Sequence, residues 1–271
     1  MPCRPLVSGV LVGSLVVGAA SAQVAAPART YLYDDFHGRF IDPAKWDGVG
    51  TLTRDTMEFV REVKDGHLHI AARTYGERWG DVGSIFDIAE LDLKNASTIS
   101  SFGAEVVVRS ISSVSCANNS WSSDPEVQLV GGGFFTIGDG SSDTGNIDAL
   151  VKLQQAGPAP SDGLIARLTV GVVGGSDVGD ADLGRVGIGE PVFMFVRWDQ
   201  ANHRFLGGMK RLGVPWATAV IPYGFDDSRA ADYTYRGLSV RNNTPNCVAT
   251  PTVGAAEAEF SQVMVNLPWQ P

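Results

Sequence analysis

Apolar and polar residues alternate along most of this chain, and long stretches with the spacing of an amphipathic helix are absent. The clearest alternation covers residues 164–172, where five apolar residues share one strand face and Arg and Thr lie on the other. Shorter alternating segments cover 67–70, 104–109 and 238–241, and an apolar segment covers 260–265. A period of two is typical of strands that cover a core on one side. The pattern predicts an all-β protein, a sandwich of two packed antiparallel sheets.

One segment is apolar on both of its faces. Residues 192–198 read Val-Phe-Met-Phe-Val-Arg-Trp, which is typical of a central strand. The polar residues 199–203 follow, and apolar character resumes at 204–206, so the pattern predicts a hairpin. Residues 226–235 are the only segment that could form a short helix.

The first 22 residues have the three parts of a secretory signal peptide. Arg4 supplies a positive charge, Leu6–Ala20 is apolar, and Ala20-Ser21-Ala22 matches an A-x-A cleavage site. The apolar run is too short and too rich in Gly and Ser to span a bilayer comfortably. We expect cleavage after Ala22, a mobile leader at 23–30, and a single β-sandwich domain at 31–271.

Composition narrows the range of partners. The chain has 271 residues, with 21 Lys and Arg against 30 Asp and Glu, for a formal charge of −9. An acidic balance argues against non-specific binding to nucleic acid or to an anionic membrane surface. Charged residues make up 19% of the chain and hydrophobic residues 44%, which indicates a folded protein. Its oligomeric state stays open.

Two cysteines lie beyond the predicted signal peptide. Cys116 and Cys247 would enter an oxidising compartment after export, where an even number of cysteines favours a disulfide. Two separate buried thiols are the alternative. A closed loop of about 131 residues would stabilise the fold by roughly 5 kcal/mol in the chain-entropy model.

Several short motifs resemble those of a known family. They are Asp34-Asp35-Phe36-His37-Gly38, Ile41-Asp42-Pro43-Ala44-Lys45-Trp46, Lys64-Asp65-Gly66-His67-Leu68-His69-Ile70, Val196-Arg197-Trp198-Asp199 and Ala258–Val265. In these motifs the chain resembles the concanavalin A-like lectin and glucanase sandwiches. The resemblance implies a secreted jelly roll with a carbohydrate ligand.

The chain departs from that family where its members carry their chemistry. The retaining glucanases share a Glu-x-Asp-x-x-Glu strand, which is absent here, and the nearest segment, Asp124–Gln128, lacks the final acid. In many relatives Phe-Asp-Asn in the closing strand helps to hold a structural calcium ion, whereas Ser261 follows Phe260 here. The resemblance therefore bears on the fold more than on the chemistry.

Asp124 and Glu126 are the candidate catalytic residues. Alternate strand positions lie about 6.5–7 Å apart on one face, and glycoside hydrolysis uses two carboxyl groups about 5 to 9.5 Å apart. Glu126 would be the proton donor. Pro125 between them is also typical of a loop that enters a strand, in which case neither acid is catalytic.

Aromatic and planar polar side chains are candidate sugar contacts. Aromatic rings can stack on sugar faces, and three tryptophans lie in polar surroundings: Trp79, Trp121 and Trp216. The candidate ligand-binding residues are Trp79, Trp121, Tyr75, Arg73, Gln128, Arg241 and Asn242. Aromatic residues also anchor cores, which is the expectation for Trp46 and Trp198.

Calcium is the only cofactor that the sequence suggests. Candidate oxygen ligands are Asp139, Asp143 and Asp148 in one Gly-rich segment, and Asp177, Asp180 and Asp182 in another. Neither segment matches the helix–loop–helix calcium loop, and Asp, Gly and Ser also form ordinary turns. His67 and His69 share a strand face and could ligate a metal, but histidines are equally expected on a solvated face.

The sequence favours a secreted, non-catalytic, polysaccharide-binding lectin-like sandwich. The first alternative is a glycoside hydrolase or polysaccharide lyase with an atypical site around Glu126. A structural module that binds a protein partner is the second. Signatures of a Ser nucleophile elbow, an H-E-x-x-H zinc site, a phosphate loop and a C-x-x-C motif are all absent from the sequence.

Overall fold

The computed structural model describes residues 31–48, 57–121, 123–156, 163–250 and 252–266. They form fifteen strands: β1 (Tyr31–Asp34), β2 (Trp46–Asp47), β3 (Met57–Lys64), β4 (His67–Tyr75), β5 (Ser84–Leu93), β6 (Ser101–Ser112), β7 (Glu126–Gly132), β8 (Ile147–Gln155), β9 (Leu164–Val172), β10 (Asp177–Val186), β11 (Val192–Asp199), β12 (Arg204–Arg211), β13 (Ala217–Pro222), β14 (Tyr235–Pro245) and β15 (Val253–Val265). Two single 3-10 turns cover Ala96–Thr98 and Gln200–Asn202. The described residues include no helix long and apolar enough to cross a membrane.

The strands form two antiparallel sheets. One sheet has the order β13-β12-β11-β6-β15-β4-β3, with β1 also paired to β15, and the other has the order β10-β9-β8-β7-β14-β5-β2. We call them the eight-stranded and the seven-stranded sheet. The predicted all-β sandwich is confirmed, and so is the hairpin, since β11 pairs with β12 from Val192–Arg211 to Asp199–Arg204. All described strand pairs are antiparallel, as in a jelly roll.

The core lies between the sheets and follows the alternation of the sequence. In β8 and β9 every second residue, from Ile147 to Leu153 and from Leu164 to Val170, is fully buried. Strand β11 is central, between β6 and β12, and Trp216 covers its outer face by edge contacts with Phe193 and Phe195. The apolar character of both faces of 192–198 therefore has a packing explanation.

The predicted helix at 226–235 is wrong. Residues 226–234 form bends and irregular backbone, and β14 begins at Tyr235. The Asp226 carboxylate accepts a hydrogen bond from the Ser228 backbone N–H at 3.0 Å. A local bond of this kind closes a turn and competes with helical hydrogen bonding.

The first family-like motif has a structural role. Asp34 accepts hydrogen bonds from the Trp46 indole N–H at 2.7 Å and the Phe36 backbone N–H at 3.0 Å, and it pairs with Lys45 Nζ at 3.4 Å. The Trp46 ring, 1% exposed, stacks on Phe36 at 5.5 Å. The predicted core position of Trp46 is confirmed, and the motif joins β1 of one sheet to β2 of the other.

The loops gather at two ends of the sandwich. At one end Cys116 and Cys247 form a disulfide, as predicted, with their Cα atoms 5.7 Å apart. We call this the disulfide end, formed by the loops 76–83, 113–125 and 246–250. The loops 94–100, 133–146 and 223–234 form the opposite end.

Candidate functional site

The candidate site lies on the face of the seven-stranded sheet that points away from the other sheet, here called the outer face. Val127 and Leu129 of β7 belong to the core, so Glu126 and Gln128, which alternate with them along the strand, point outward. Paired residues on adjacent strands share a face, which adds Arg241 of β14 opposite Glu126 and Lys152 of β8 opposite Gln128.

Ionisable groups in the middle of this outer face are buried. Glu126 is 0% exposed, and its carboxylate contacts Lys152 Nζ at 2.6 Å and Arg241 Nη1 at 3.5 Å. Gln128, 1% exposed, donates a hydrogen bond to Glu126 and accepts one from Ser239 at 3.3 Å. We call Glu126, Lys152, Arg241 and Gln128 the ion-pair cluster. Lys152 and Arg241 compensate the buried charge of Glu126, as a buried charge requires.

Asp124 lies beside this cluster, as the sequence predicts. Its backbone N–H donates to Asn243 O at 2.9 Å. Burial, together with the negative charge of Glu126, raises the pKa of Asp124 to about 6. Glu126 itself is covered by two cations, so it serves as the ionic centre of the cluster in this structure.

A second group of carboxyls lies on β5, two strands away. Glu90 and Asp92 occupy alternate outer positions of β5, and the negative charge of Asp92 acts on the Glu90 carboxyl. Burial raises the pKa of Glu90 to about 9 and that of Asp92 to about 6. At neutral pH Glu90 therefore holds its proton beside the ionised Asp92 carboxylate. We call these two residues the acid pair.

A glycine on the neighbouring strand makes room for the acid pair. Gly237 of β14 is opposite Asp92, and a Cβ atom there would lie 2.6 Å from Asp92 Oδ1 and 2.8 Å from Glu90 Oε1. Any side chain at 237 would therefore push the carboxyls apart. The acid pair therefore depends on the absence of a side chain at Gly237 as well as on the alternation of residues along β5.

Asp148 and Tyr235 extend the acidic region. Asp148 accepts hydrogen bonds from the Gly133 backbone N–H at 2.9 Å and the Tyr235 hydroxyl at 3.0 Å. Burial raises the pKa of both the Asp148 carboxyl and the Tyr235 phenol. The Tyr235 ring reaches Asp148 across Gly132, where a Cβ atom would overlap it.

An open depression of about 430 Å³ adjoins the acid pair. Asp47, Asp92, Asp232, Tyr233 and Tyr235 contribute to its lining. Tyr233 is 58% exposed and its ring lies 5.5 Å from that of Tyr235. The depression thus combines aromatic surface with hydrogen-bond acceptors.

The two predicted tryptophans lie at the disulfide end. Trp79 and Trp121 are 66% and 53% exposed, on two of the three loops gathered around the disulfide. Phe86 of β5, 47% exposed, begins the outer face at the same end, and the Arg241 guanidinium lies 4.7 Å from its ring centroid. The sandwich therefore presents exposed aromatic rings where the outer face begins.

Three of the predicted ligand-binding residues lie elsewhere. Arg73 and Tyr75 are on β4 of the eight-stranded sheet, where both contact Glu58, at 3.6 Å and 3.0 Å. Asn242 points into the sandwich, where it is 0% exposed and donates to Ala72 O at 3.2 Å. Because its strand position faces the core, Asn242 cannot border a groove, and that expectation is corrected.

The predicted calcium ligands are dispersed among other contacts. Asp139 accepts two hydrogen bonds from Ser141, at 2.9 Å and 2.7 Å, and Asp148 binds Gly133 and Tyr235 as described. In the described part of the chain, Asp139, Asp143 and Asp148 do not bring ligand oxygens within 4.8 Å of one another. Asp180 of the second segment pairs with Arg167 at 2.8 Å. Calcium at either segment stays a prediction.

The predicted histidine face has other partners. His69 contacts Glu62 at 3.3 Å through Nδ1 and Glu257 at 2.9 Å through Nε2, on the outer face of the eight-stranded sheet. The two ring nitrogens thus face carboxylates of two different strands. This geometry is that of a polar contact bridging β3, β4 and β15.

Sequence reasoning missed the acid pair. Its signal was present in Ala89-Glu90-Leu91-Asp92-Leu93, where two acids alternate with buried apolar residues. The sequence instead predicts the catalytic acids at Asp124 and Glu126, and in the structure Glu126 belongs to the ion-pair cluster.

No protein-family model matches this sequence, and no curated protein does. Solved structures do match. Lotus tetragonolobus seed lectin is 10% identical with a TM-score of 0.39, over 85% of this chain and 97% of the lectin. The alginate lyase from Klebsiella pneumoniae is 10% identical with a TM-score of 0.41, over 78% and 84%. A legume lectin-like domain from Entamoeba histolytica is 9% identical with a TM-score of 0.39, over 82% and 88%.

At these identities and TM-scores the matches carry no argument about this chain, whose fold is described by its own two antiparallel sheets. Their ligands and activities carry nothing over to this chain, because one fold hosts many functions. The function is therefore argued from the residues of the outer face.

Proposed function

We propose that this chain binds a polysaccharide along the outer face of its seven-stranded sheet. The observation that carries the proposal is the row of buried, hydrogen-bonded polar groups that lies between two exposed aromatic rings, Phe86 at one end and Tyr233 at the other. Phe86 and Asp92 are six residues apart on β5, which corresponds to about 20 Å of strand. That length accommodates several sugar rings in a row.

The chemistry of the face suits sugar hydroxyls. Lys152 and Arg241 are partly exposed and can donate hydrogen bonds to sugar hydroxyls, and the buried Glu126 carboxylate holds both cations in place. Side chains that are already fixed lose little conformational entropy when a ligand binds. Exposed Tyr and Trp rings supply apolar contact area for the faces of sugar rings.

The test is retention on polysaccharide gels, followed by calorimetry with oligosaccharides of the polymer that retards the protein. Tyr233→Ala should weaken binding about fivefold to tenfold, because an aromatic contact contributes about 1 kcal/mol. Tyr75→Ala is the matched control, since that ring lies on the other sheet beside Glu58. The proposal fails when no polymer retards the protein, or when both variants lose affinity equally.

A second candidate function is cleavage of the bound polymer by acid catalysis. The acid pair favours it, because a carboxyl with a pKa of about 9 is protonated at neutral pH and can serve as a general acid. The two carboxyls occupy alternate positions of one strand, and the charge of Asp92 acts on Glu90, so the two titrate together. Glu90 and Asp92 therefore act as one acid, and the second carboxyl that cleavage needs would be a third residue. Asp148, whose negative charge acts on Glu90, is the candidate.

Release of reducing sugar from mixed polysaccharides tests this second function. Glu90→Gln should abolish release while leaving retention on the gel intact. Glu126→Gln tests the site expected from sequence, and Glu58→Gln, on the opposite sheet, is the control. Cleavage that is unchanged in Glu90→Gln excludes the acid pair.

We further infer that the chain is exported. The charged, apolar and A-x-A segments at 1–22 support this, and so does the Cys116–Cys247 disulfide, since disulfides persist in oxidising compartments. The predicted signal peptide and leader lie outside the described residues. Fractionation of the native host, with N-terminal sequencing of the secreted protein, should give Gln23 as the first residue. A full-length cytoplasmic protein would contradict the inference.

A further inference from the structure

Arg236 is a buried cation that the outer face does not use. It follows Tyr235 on β14, so its side chain points between the sheets at the end opposite the disulfide, and it is 2% exposed. Its guanidinium carbon lies 3.5 Å from the centroid of the Phe134 ring. Nε donates to Ile99 O at 3.1 Å, and Nη1 donates to Gly132 O at 2.7 Å and Tyr235 O at 2.6 Å.

The guanidinium lacks an ion-pair partner among the described residues. No carboxylate of that part of the chain lies within 4.0 Å of it, and the charge that acts on it, Asp148, is already bonded to Gly133 and Tyr235. Nη2 makes no hydrogen bond to any described group. A buried charge without a counter-ion is costly, so proteins usually pair it. Burial lowers the pKa of Arg236 to about 9, which leaves the group charged at neutral pH.

Arg236 lines a cleft of about 280 Å³ at this end of the sandwich, here called the end cleft. The cleft also offers Ser and Thr hydroxyls, the Gln200 amide and a second guanidinium, that of Arg229. Its acidic residue, Asp227, is engaged, because it accepts a hydrogen bond from Tyr223 at 2.6 Å and pairs with His203 at 3.2 Å. Arg229 donates to Gly138 O and the Gln200 amide donates to Asp227 O at 3.1 Å, so each keeps only part of its donors for a ligand.

We propose that the end cleft binds an oxyanion, a carboxylate or sulfate group, on the Nη2 side of Arg236. The two N–H groups of Nη2 can donate to the oxygens of such a group, and the guanidinium supplies the opposite charge. The oxyanion comes either as a free small ion or as part of an acidic sugar. The inference concerns a different site from the outer face and does not depend on polysaccharide binding there.

Calorimetry on the purified, disulfide-bonded protein tests the proposal. The probes are sodium sulfate, sodium acetate, sodium glucuronate and neutral glucose, at constant ionic strength set with chloride. Saturable binding of sulfate, acetate and glucuronate is expected, with glucose inert. Glucuronate that binds more than tenfold more tightly than acetate identifies an acidic sugar, whereas equal binding identifies a free small anion.

Two variants at exposed serines test the cleft while leaving Arg236 in place, so the result does not depend on whether an Arg236 variant folds. Ser228→Glu places a carboxylate at the exposed rim of the cleft and should weaken anion binding at least tenfold. Ser115→Glu makes the same charge change on an exposed loop at the disulfide end and should leave it unchanged. Arg236→Lys keeps the charge but loses the paired donors, so its affinity should also fall. Absence of saturable anion binding, or equal affinities in the two serine variants, overturns the proposal.

Discussion

Replacing Lys152 with Met measures how strongly the outer face depends on its buried charges. Glu126 is 0% exposed, and Lys152, whose side chain is 15% exposed, contacts it at 2.6 Å. Removing one partner of a buried pair costs about 3–5 kcal/mol, because the other charge is left uncompensated. Arg241 remains 3.5 Å from Glu126 in the variant, so we expect a loss near the lower limit, about 3 kcal/mol.

Chemical denaturation at pH 7 gives the free energy of unfolding of each variant. A loss of about 3 kcal/mol corresponds to a fall of roughly 6–12 °C in Tm for a domain of this size. Adding Glu126→Gln to Lys152→Met should restore most of the loss, since the double variant buries no unpaired carboxylate. Lys152→Met that costs less than 1 kcal/mol, or a double variant no more stable than the single one, would refute the role of Glu126 as a buried ionic centre.

Three further changes test other parts of the structure. Folding raises the pKa of Glu90 from 4.5 to about 9, so the stability of the wild type falls as the pH rises through that range. Glu90→Gln should therefore be more stable than the wild type at pH 8 but not at pH 4, and parallel curves of stability against pH would contradict this. Gly132→Ala should lose about 1–3 kcal/mol by displacing the Tyr235 ring, whereas Gly224→Ala, with open space around it, should lose little in the same denaturation assay. Changing both disulfide cysteines to serine should cost about 2–5 kcal/mol, seen as a lower denaturation midpoint that reducing agent no longer affects.

The fold was largely readable from local pattern. Alternating segments such as 164–172 became strands with one fully buried face, because a period of two leaves only one side for the core. The motif of Asp34 and Trp46 was recognisable because its two residues bond directly across the start of the sandwich. The segment 226–235 was misread, since the turn closed by Asp226 is a side-chain effect that periodicity does not contain.

The candidate site could be predicted only in part. Alternation along a strand predicts which residues share a face, but it does not predict to which of the two sheets the strand belongs. Arg73 lies between Ala72 and Thr74 and Gln128 between Val127 and Leu129, and these neighbours do not tell that the two residues lie on opposite sheets. Asn242 and Arg241 are adjacent, and the register of β14 sends one into the core and the other to Glu126. Sheet assignment and register come from pairings between distant segments, which local periodicity does not encode.

The acid pair has one feature that the local sequence predicts and another that depends on tertiary structure. Glu90 and Asp92 alternate on one strand, so their shared face could be predicted, but their shared proton could not. It depends on burial and on the absence of a side chain at Gly237, which pairs with Asp92 although 145 residues separate the two in sequence. Buried carboxyls that held separate charges there would repel each other at close range, so one stays protonated. Gly237→Ala should therefore separate the carboxyls and weaken the pH dependence of stability that Glu90→Gln removes, which ties the chemistry of β5 to a residue on another strand.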